Sequence, residues 1–395
     1  MIFDPRDPQH AVDGVPFETL ARIRAEEPVC PSPQGWFLSR RDEIMTCLEE
    51  VTTFIADLSG MSELSDRAEV PEDELFLSEI EEPRHGRVRR LYNSCFARHR
   101  LAKLGSFVED TCNRLLDRLL AAEDGAADLH IGYAMPIPSL VLSRMMGLPT
   151  EAAQRFMEWS LDGTLMQRTP TPGVDPGGPP VQQYFGAHLA RRRQESGEAP
   201  KDVYRTLMEA EIDGQPLSDR EIVTQLQFMV MAGVHTTRTF LTHLMHRLLF
   251  HPELFRTLAE DRSLVPNYIE ESLRHDSPVQ STTRRTTRGI ELAGVKLASG
   301  DWVEVGLGSA NRDERAYEDP DVFRLDREDP RDHLAFGAGS HICPGAALAR
   351  LEGQTAVEVL LDRVAEMSPV EGVQYPPLPS SLSDLPIPAR LVARA

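Results

Sequence analysis

Apolar positions recur with a helical period through several long stretches of this 395-residue chain, and the intervals between them are rich in proline and glycine. The longest stretch opens at Leu217-Ser218-Asp219-Arg220-Glu221. There Ser218 and Glu221 have the spacing of a capping box, and the apolar pattern runs on to about Phe250. Further helices are expected over 17–27 and 41–50, from Pro83 onward, and over 140–146, 151–166, 181–196 and 268–274. Trp36-Phe37-Leu38 reads as a strand start. From Ser277 to Arg284 the chain is expected to be extended, because Pro278 biases the residue before it away from helix. Strands are expected over 286–305 around turns at Ala293-Gly294 and Ser299-Gly300. Three segments lack regular periodicity: the acidic stretch 55–80, read as a loop with one short helix, the proline-rich stretch 168–180, and the loop 376–388.

One place inside the long helix is weak. Met231-Ala232-Gly233-Val234-His235-Thr236-Thr237 puts a glycine and two threonines where better helix formers would serve. Such a concession is expected where something else must fit.

Near the C-terminus, Leu334-Ala-Phe-Gly-Ala-Gly-Ser-His-Ile-Cys343 leads through Pro344 and Gly345 into the helix formers Ala346 to Glu352. Pro344 suits a first helical turn, where its missing N–H costs nothing. Cys343 then stands where a loop enters a helix, and the free amides there favour a thiolate, hence a nucleophile or a metal ligand. The alternative is a buried, unreactive cysteine. Zinc is disfavoured, since no two of Cys30, Cys47, Cys95, Cys112 and Cys343 lie within four residues of each other.

Charge adds a further constraint. The net charge of −20 disfavours nucleic acid as a partner. Residues 49–82 carry twelve acidic side chains and one basic one, whereas 83–108 carry seven basic side chains and no acid. The basic residues Arg87, Arg90, Arg98, Arg100 and Lys103 are either a solvated helix face or a docking surface for an acidic partner. No run of eighteen apolar residues occurs and the N-terminus lacks a signal-like segment, so a cytoplasmic protein without membrane contact is expected. Five scattered cysteines agree with a reducing compartment.

Phe336, Gly339, Cys343 and Gly345 fill the pattern Phe-x-x-Gly-x-x-x-Cys-x-Gly, which resembles the haem-binding loop of the cytochrome P450 family. His341 and Ala349-Arg350-Leu351-Glu352 look like its soluble bacterial members. Ala232, Gly233, Thr236 and Thr237 match the family's Ala-Gly-x-Asp/Glu-Thr-Thr, and Glu271-x-x-Arg274 matches its Glu-x-x-Arg. The resemblance implies a mainly α fold with a smaller β region, one triangular-prism-like domain over 1–395. It implies haem b (iron protoporphyrin IX) held by Cys343, with His85, Arg89, Arg284 and His341 on its propionates. Ala232 and Gly233 leave room for dioxygen, and the Thr236 hydroxyl steers protons during oxygen activation. Glu271 and Arg274 brace the fold, joined in the family by a downstream arginine. Here Val322 stands at that place, and Arg324 or Arg327 is left to substitute.

The chain departs from the family at position 235, where His235 replaces the acid. Imidazole can pass protons, so the relay is either preserved in altered form or slowed, or His235 points outward. Phe228, Met231 and Ala232, with Val279, Gln280, Ser281 and Thr282, are expected along the substrate. That wall suits a mostly apolar small molecule with some polar groups. The resemblance implies a monooxygenase of specialised metabolism fed by a separate ferredoxin and ferredoxin reductase, with hydroxylation as the default outcome. Coupling, ring formation or dealkylation, direct use of peroxide, and a haem sensor without turnover are the rivals.

Overall fold

The computed structural model describes residues 1–57, 70–122, 126–166, 180–195, 201–378 and 386–394. Much of the expected loops 55–80, 168–180 and 376–388 lies outside the described residues, Leu382 and Ser383 included. Helices dominate, with a smaller sheet region. Packing gathers the chain into two compact units, one made of Met1–Ile55, Gly105–Ile137 and Thr236–Ala395, the other of Ala56–Leu104 and Pro138–His235.

The first unit holds the main sheet. Val29–Ser32 pairs antiparallel with Gly35–Leu38, which runs parallel to Trp302–Val305, and that strand pairs antiparallel with Thr282–Thr286. The strands are aromatic and β-branched on their inner face. Leu38, Val303 and Val305 bury against Ile44, Cys47 and Leu48 of helix Arg41–Glu49 and against Leu334, at the start of the cysteine loop. The hairpin Ile290–Leu292/Val295–Leu297 turns through Ala293 and Gly294, both at positive φ, as a tight two-residue connection requires. Only Thr282–Thr286 of the expected extended stretch is a strand, and Ser277–Ser281 is irregular.

In the same unit, helix Ala346–Arg363 lies against the later part of the long helix Asp219–Phe250. The approach is close, because a Cβ on Gly353 would stand 2.6 Å from the Phe240 ring. The Tyr133 hydroxyl donates to the Ala356 carbonyl at 2.9 Å, and His130 Nδ1 lies 2.7 Å from Thr242 Oγ1.

The second unit is helical, with Arg84–Cys95, Glu151–Leu161, Pro180–Gln194 and the first part of the long helix. The capping box forms as expected: the Glu221 amide donates to Ser218 Oγ at 3.1 Å, and the Ser218 amide donates to Glu221 Oε2 at 2.8 Å. The helix is unbroken through Met231–Thr237 despite its weak propensity, because tertiary packing outweighs a few tenths of a kcal/mol per residue. Helix Pro136–Met145 starts earlier than expected, with Pro136 and Pro138 inside its first turn, where a missing N–H breaks no helical bond. Among the described residues, no helix is long and apolar enough to cross a membrane.

Candidate functional site

The cysteine loop is shaped by backbone hydrogen bonds. The Leu334 amide donates to Asn311 Oδ1 at 2.6 Å, and the Gly337 amide donates back to the Leu334 carbonyl. Gly337 and Gly339 sit at φ of 70° and 67°. At Gly339 a Cβ would also stand 2.5 Å from the Leu48 carbonyl oxygen, so both conformation and space demand glycine. The turn Gly339–His341 follows, and the Cys343 amide closes the loop by donating to the Phe336 carbonyl at 2.9 Å. The helix then begins at Ala346, two residues later than the expected start at Pro344. Pro344 and Gly345 form a turn ahead of it.

Burial separates the five thiols. Cys30, Cys47, Cys95 and Cys112 are buried, and Cys343 alone is partly exposed. Burial raises the Cys95 thiol and pushes Cys30 to about 11 and Cys47 and Cys112 to about 12. Those four stay protonated at neutral pH and are poor ligands. Cys343 is the thiol that the fold keeps out of its core.

Glu271 and Arg274 on helix Val265–His275 form no surface bridge of the ordinary kind. Both side chains are 1% exposed, and the guanidinium takes the carboxylate in a fork of two 2.8 Å bonds. The remaining Arg274 Nη1 donates to the Asn311 and Pro320 carbonyls, each at 2.8 Å. Arg327 is the substitute arginine: its Nε lies 3.0 Å from both Glu271 oxygens. Arg324 contributes its backbone amide, at 2.9 Å, while its side chain pairs at the surface with Glu318 and Asp326. Burial would raise the Glu271 carboxyl, but the two arginines and that amide hold it below the usual range.

The other expected residues fall as follows. In the first unit, Arg284 is buried on its strand and donates to the Thr283 carbonyl. Thr236 is half-buried, as are Val279, Gln280, Ser281 and Thr282. The Gln280 amide is turned back to the Ser277 carbonyl, at 2.7 Å, over Gly308, where any Cβ would strike it. In the second unit, His85 is buried with Nδ1 3.1 Å from Glu82 Oε1, and Arg89 Nε donates to Asn93 at 3.3 Å. Phe228 stacks on Phe76 and meets Tyr92 edge-on. Met231 and His235 are half-buried and Ala232 is exposed. A Cβ on Gly233 would lie 2.9 Å from Leu142, so this glycine also serves helix packing. Of the basic patch, Arg87 pairs with Asp213 and Arg100 donates to Thr206, while Arg90, Arg98 and Lys103 are exposed.

Two residues beside the loop, Glu270 and His333, had no recognised signal in the sequence, and Arg350 entered only through the resemblance at residues 349–352. Glu270 is buried and binds both Arg350 and His333. Its spacing to either carries no periodicity, and only folding joins them.

Glu352 is fully buried on helix Ala346–Arg363, and its Oε2 has no hydrogen-bond partner among the described residues. Burial lifts its carboxyl from the usual 4.5 to about 8. The folded protein therefore holds a proton that the unfolded chain releases. This contribution to stability is whole below pH 4.5 and is lost as pH rises through 8. A shift of that size corresponds to on the order of 5 kcal/mol. Glu352→Gln is expected to flatten the fall in urea midpoint across that window. An unchanged slope would show that Glu352 is ionised in the fold.

A helical protein that holds one thiol out of its core on a glycine-shaped loop, and whose long helix carries a small-residue and threonine segment, has the makings of a haem-thiolate oxygenase. The cytochrome P450 family model matches residues 181–387. The chain is 33% identical to the cytochrome P450 monooxygenase PikC of Streptomyces venezuelae, over 94% of this chain and 90% of that protein. It is 31% identical to the erythromycin C-12 hydroxylase of Saccharopolyspora erythraea, over 88% and 87% of the two chains. Cytochrome P450 CYP109Q5 from Chondromyces apiculatus superposes with a TM-score of 0.84 at 26% identity, covering 100% of this chain and 99% of that one. The chain belongs to the cytochrome P450 family and is a monooxygenase whose cofactor is haem. The residues present fit that group, with one accessible thiol for the iron and a cradle that only glycines permit.

Proposed function

We propose that this enzyme hydroxylates a mostly apolar small molecule bearing some polar groups, in specialised metabolism. Its electrons come one at a time from a separate ferredoxin and its reductase. The observation that carries the reading is the isolation of Cys343 as the one thiol outside the core. Bound haem supplies the redox and dioxygen chemistry. Cys343 would hold its iron as a thiolate, a ligand that favours O–O cleavage. Arg284 and His341, with His85 and Arg89, would hold its propionates, since carboxylates taken into protein need cationic or hydrogen-bonding partners. Relatives named for oxidising complex small molecules, among them a nocardicin C N-oxygenase, support the substrate class. The exposed Arg90, Arg98 and Lys103 support an acidic donor.

Thr236 and His235 adjoin on the long helix and would hold and pass protons at the hydroxyl Oγ1 and the imidazole. Thr236→Val is expected to lower product per electron pair by on the order of 10²-fold. His235→Asp, which restores the family's acid, should raise it. No loss in the threonine variant would remove the relay. His235 in place of an acid is the observation that favours direct use of peroxide. Turnover with hydrogen peroxide at least as fast as with ferredoxin and reductase would establish that reading; no peroxide turnover beside brisk ferredoxin turnover would end it.

A further inference from the structure

Phe336 is tied to Cys343 through its carbonyl, which accepts the Cys343 amide at 2.9 Å. Its ring is held from two directions. The Arg350 guanidinium lies over it, 4.6 Å from the centroid, and the His333 ring packs beside it with centroids 5.9 Å apart. Arg350 sits in the helix after the cysteine, and His333 lies ten residues before it. Both are bound by one carboxylate. Arg350 donates from Nε to Glu270 Oε1 at 2.7 Å and from Nη2 to Oε2 at 2.9 Å, and His333 Nε2 lies 3.1 Å from Oε2.

The histidine tautomer follows from its other nitrogen. His333 Nδ1 accepts the Ala335 amide at 3.2 Å, so Nε2 carries the proton and donates it to Glu270. Glu270 and His333 are 4% and 7% exposed. Burial would raise the Glu270 carboxyl, but His333 and Arg350 hold it at about 2, so it is ionised at every working pH. Arg331, at the surface, adds a second cation 3.5 Å away.

We infer that Glu270 is a positioning residue for the Cys343 sulfur. It clamps the chain on both sides of the cysteine, through His333 before it and Arg350 after it. It also neutralises the Arg350 charge stacked on the ring of Phe336, the residue whose backbone carbonyl accepts the cysteine amide. Glu270 thus sets where the thiolate points and how much positive charge it feels. The two effects separate by substitution. Glu270→Gln removes the charge and weakens the fork, leaving Arg350 uncompensated. An uncompensated cation beside the loop favours the reduced iron. Arg350→Lys keeps the charge pair but loses the planar fork and the stacking.

The inference rests on Cys343 as the iron ligand, and the test reads that ligand directly. In haem-loaded full-length protein, the midpoint potential is measured together with the rate at which the ferrous carbon monoxide complex loses its red-shifted, thiolate-type band. Glu270→Gln is expected to shift the potential positive and to speed that loss on the order of tenfold. Arg350→Lys should speed the loss with little change in potential. A merely structural role would lower haem content or thermal stability but leave the potential of the remaining holoprotein unmoved. Wild-type potential and wild-type band lifetime in Glu270→Gln would overturn the inference. Should that variant not fold, a wild-type band lifetime in Arg350→Lys would overturn it equally. A wild-type protein that binds haem without the red-shifted band would instead remove the ligand assignment beneath it.

Discussion

Replacing Cys343 by serine abolishes the red-shifted Soret band of the reduced, carbon-monoxide-bound protein and takes monooxygenase turnover to background. This is the largest functional effect expected of any single substitution in the chain. The loop would offer the iron one thiol, Cys343, and the other four thiols are buried and held protonated, so none can take over. The control is Cys47→Ser. It places a hydroxyl at a fully buried position and should cost about 1–3 kcal/mol of stability, yet keep the band. Absorption spectra and thermal unfolding of the two variants separate the outcomes. A red-shifted band surviving in Cys343→Ser would refute the ligand assignment. Its loss in both variants would mean that the band reports general packing rather than one sulfur.

The largest structural effect belongs to Arg274. Arg274→Ala strands the buried carboxylate of Glu271 with Arg327 and one amide as its remaining partners, and leaves the Asn311 and Pro320 carbonyls without this donor. Breaking a buried pair from one side costs about 3–5 kcal/mol, and each orphaned carbonyl adds about 1–3 kcal/mol. The sum approaches the whole stability of a typical protein, roughly 5–15 kcal/mol. The variant should therefore be recovered unfolded or without haem. Arg327→Ala should be milder, since Arg274 keeps its fork. Arg324→Ala should be close to neutral, because its link to Glu271 is a backbone amide and its side chain pairs only at the surface. Urea midpoints across the three variants check the order. Equal losses at 324 and 327 would contradict the assignment of Arg327 as the third member.

These two predictions differ in where their information came from. Gly337 and Gly339 are readable in sequence because a positive φ is a local demand that glycine meets without strain, and such needs leave a fixed spacing. The close approach of Gly339 to Leu48 is a second demand, which only the tertiary fold makes. The long helix was likewise legible, since its cap and its apolar period lie within one segment. The helix starts at Ala346, two residues after Pro344.

What the sequence by itself determined is thus the set of segments with local signatures: the thiol loop, the small-residue helix, the Glu-x-x-Arg pair and the mainly helical class. Only the tertiary structure decided which partners meet over long separations. It chose the Arg327 side chain over that of Arg324 for Glu271, brought Glu270 to Arg350 and His333 across 80 and 63 residues, and left Glu352 Oε2 in the core with no hydrogen-bond partner among the described residues. The physical reason is that buried charges are satisfied by whatever the fold brings within about 3 Å, and no periodicity along the chain encodes that distance.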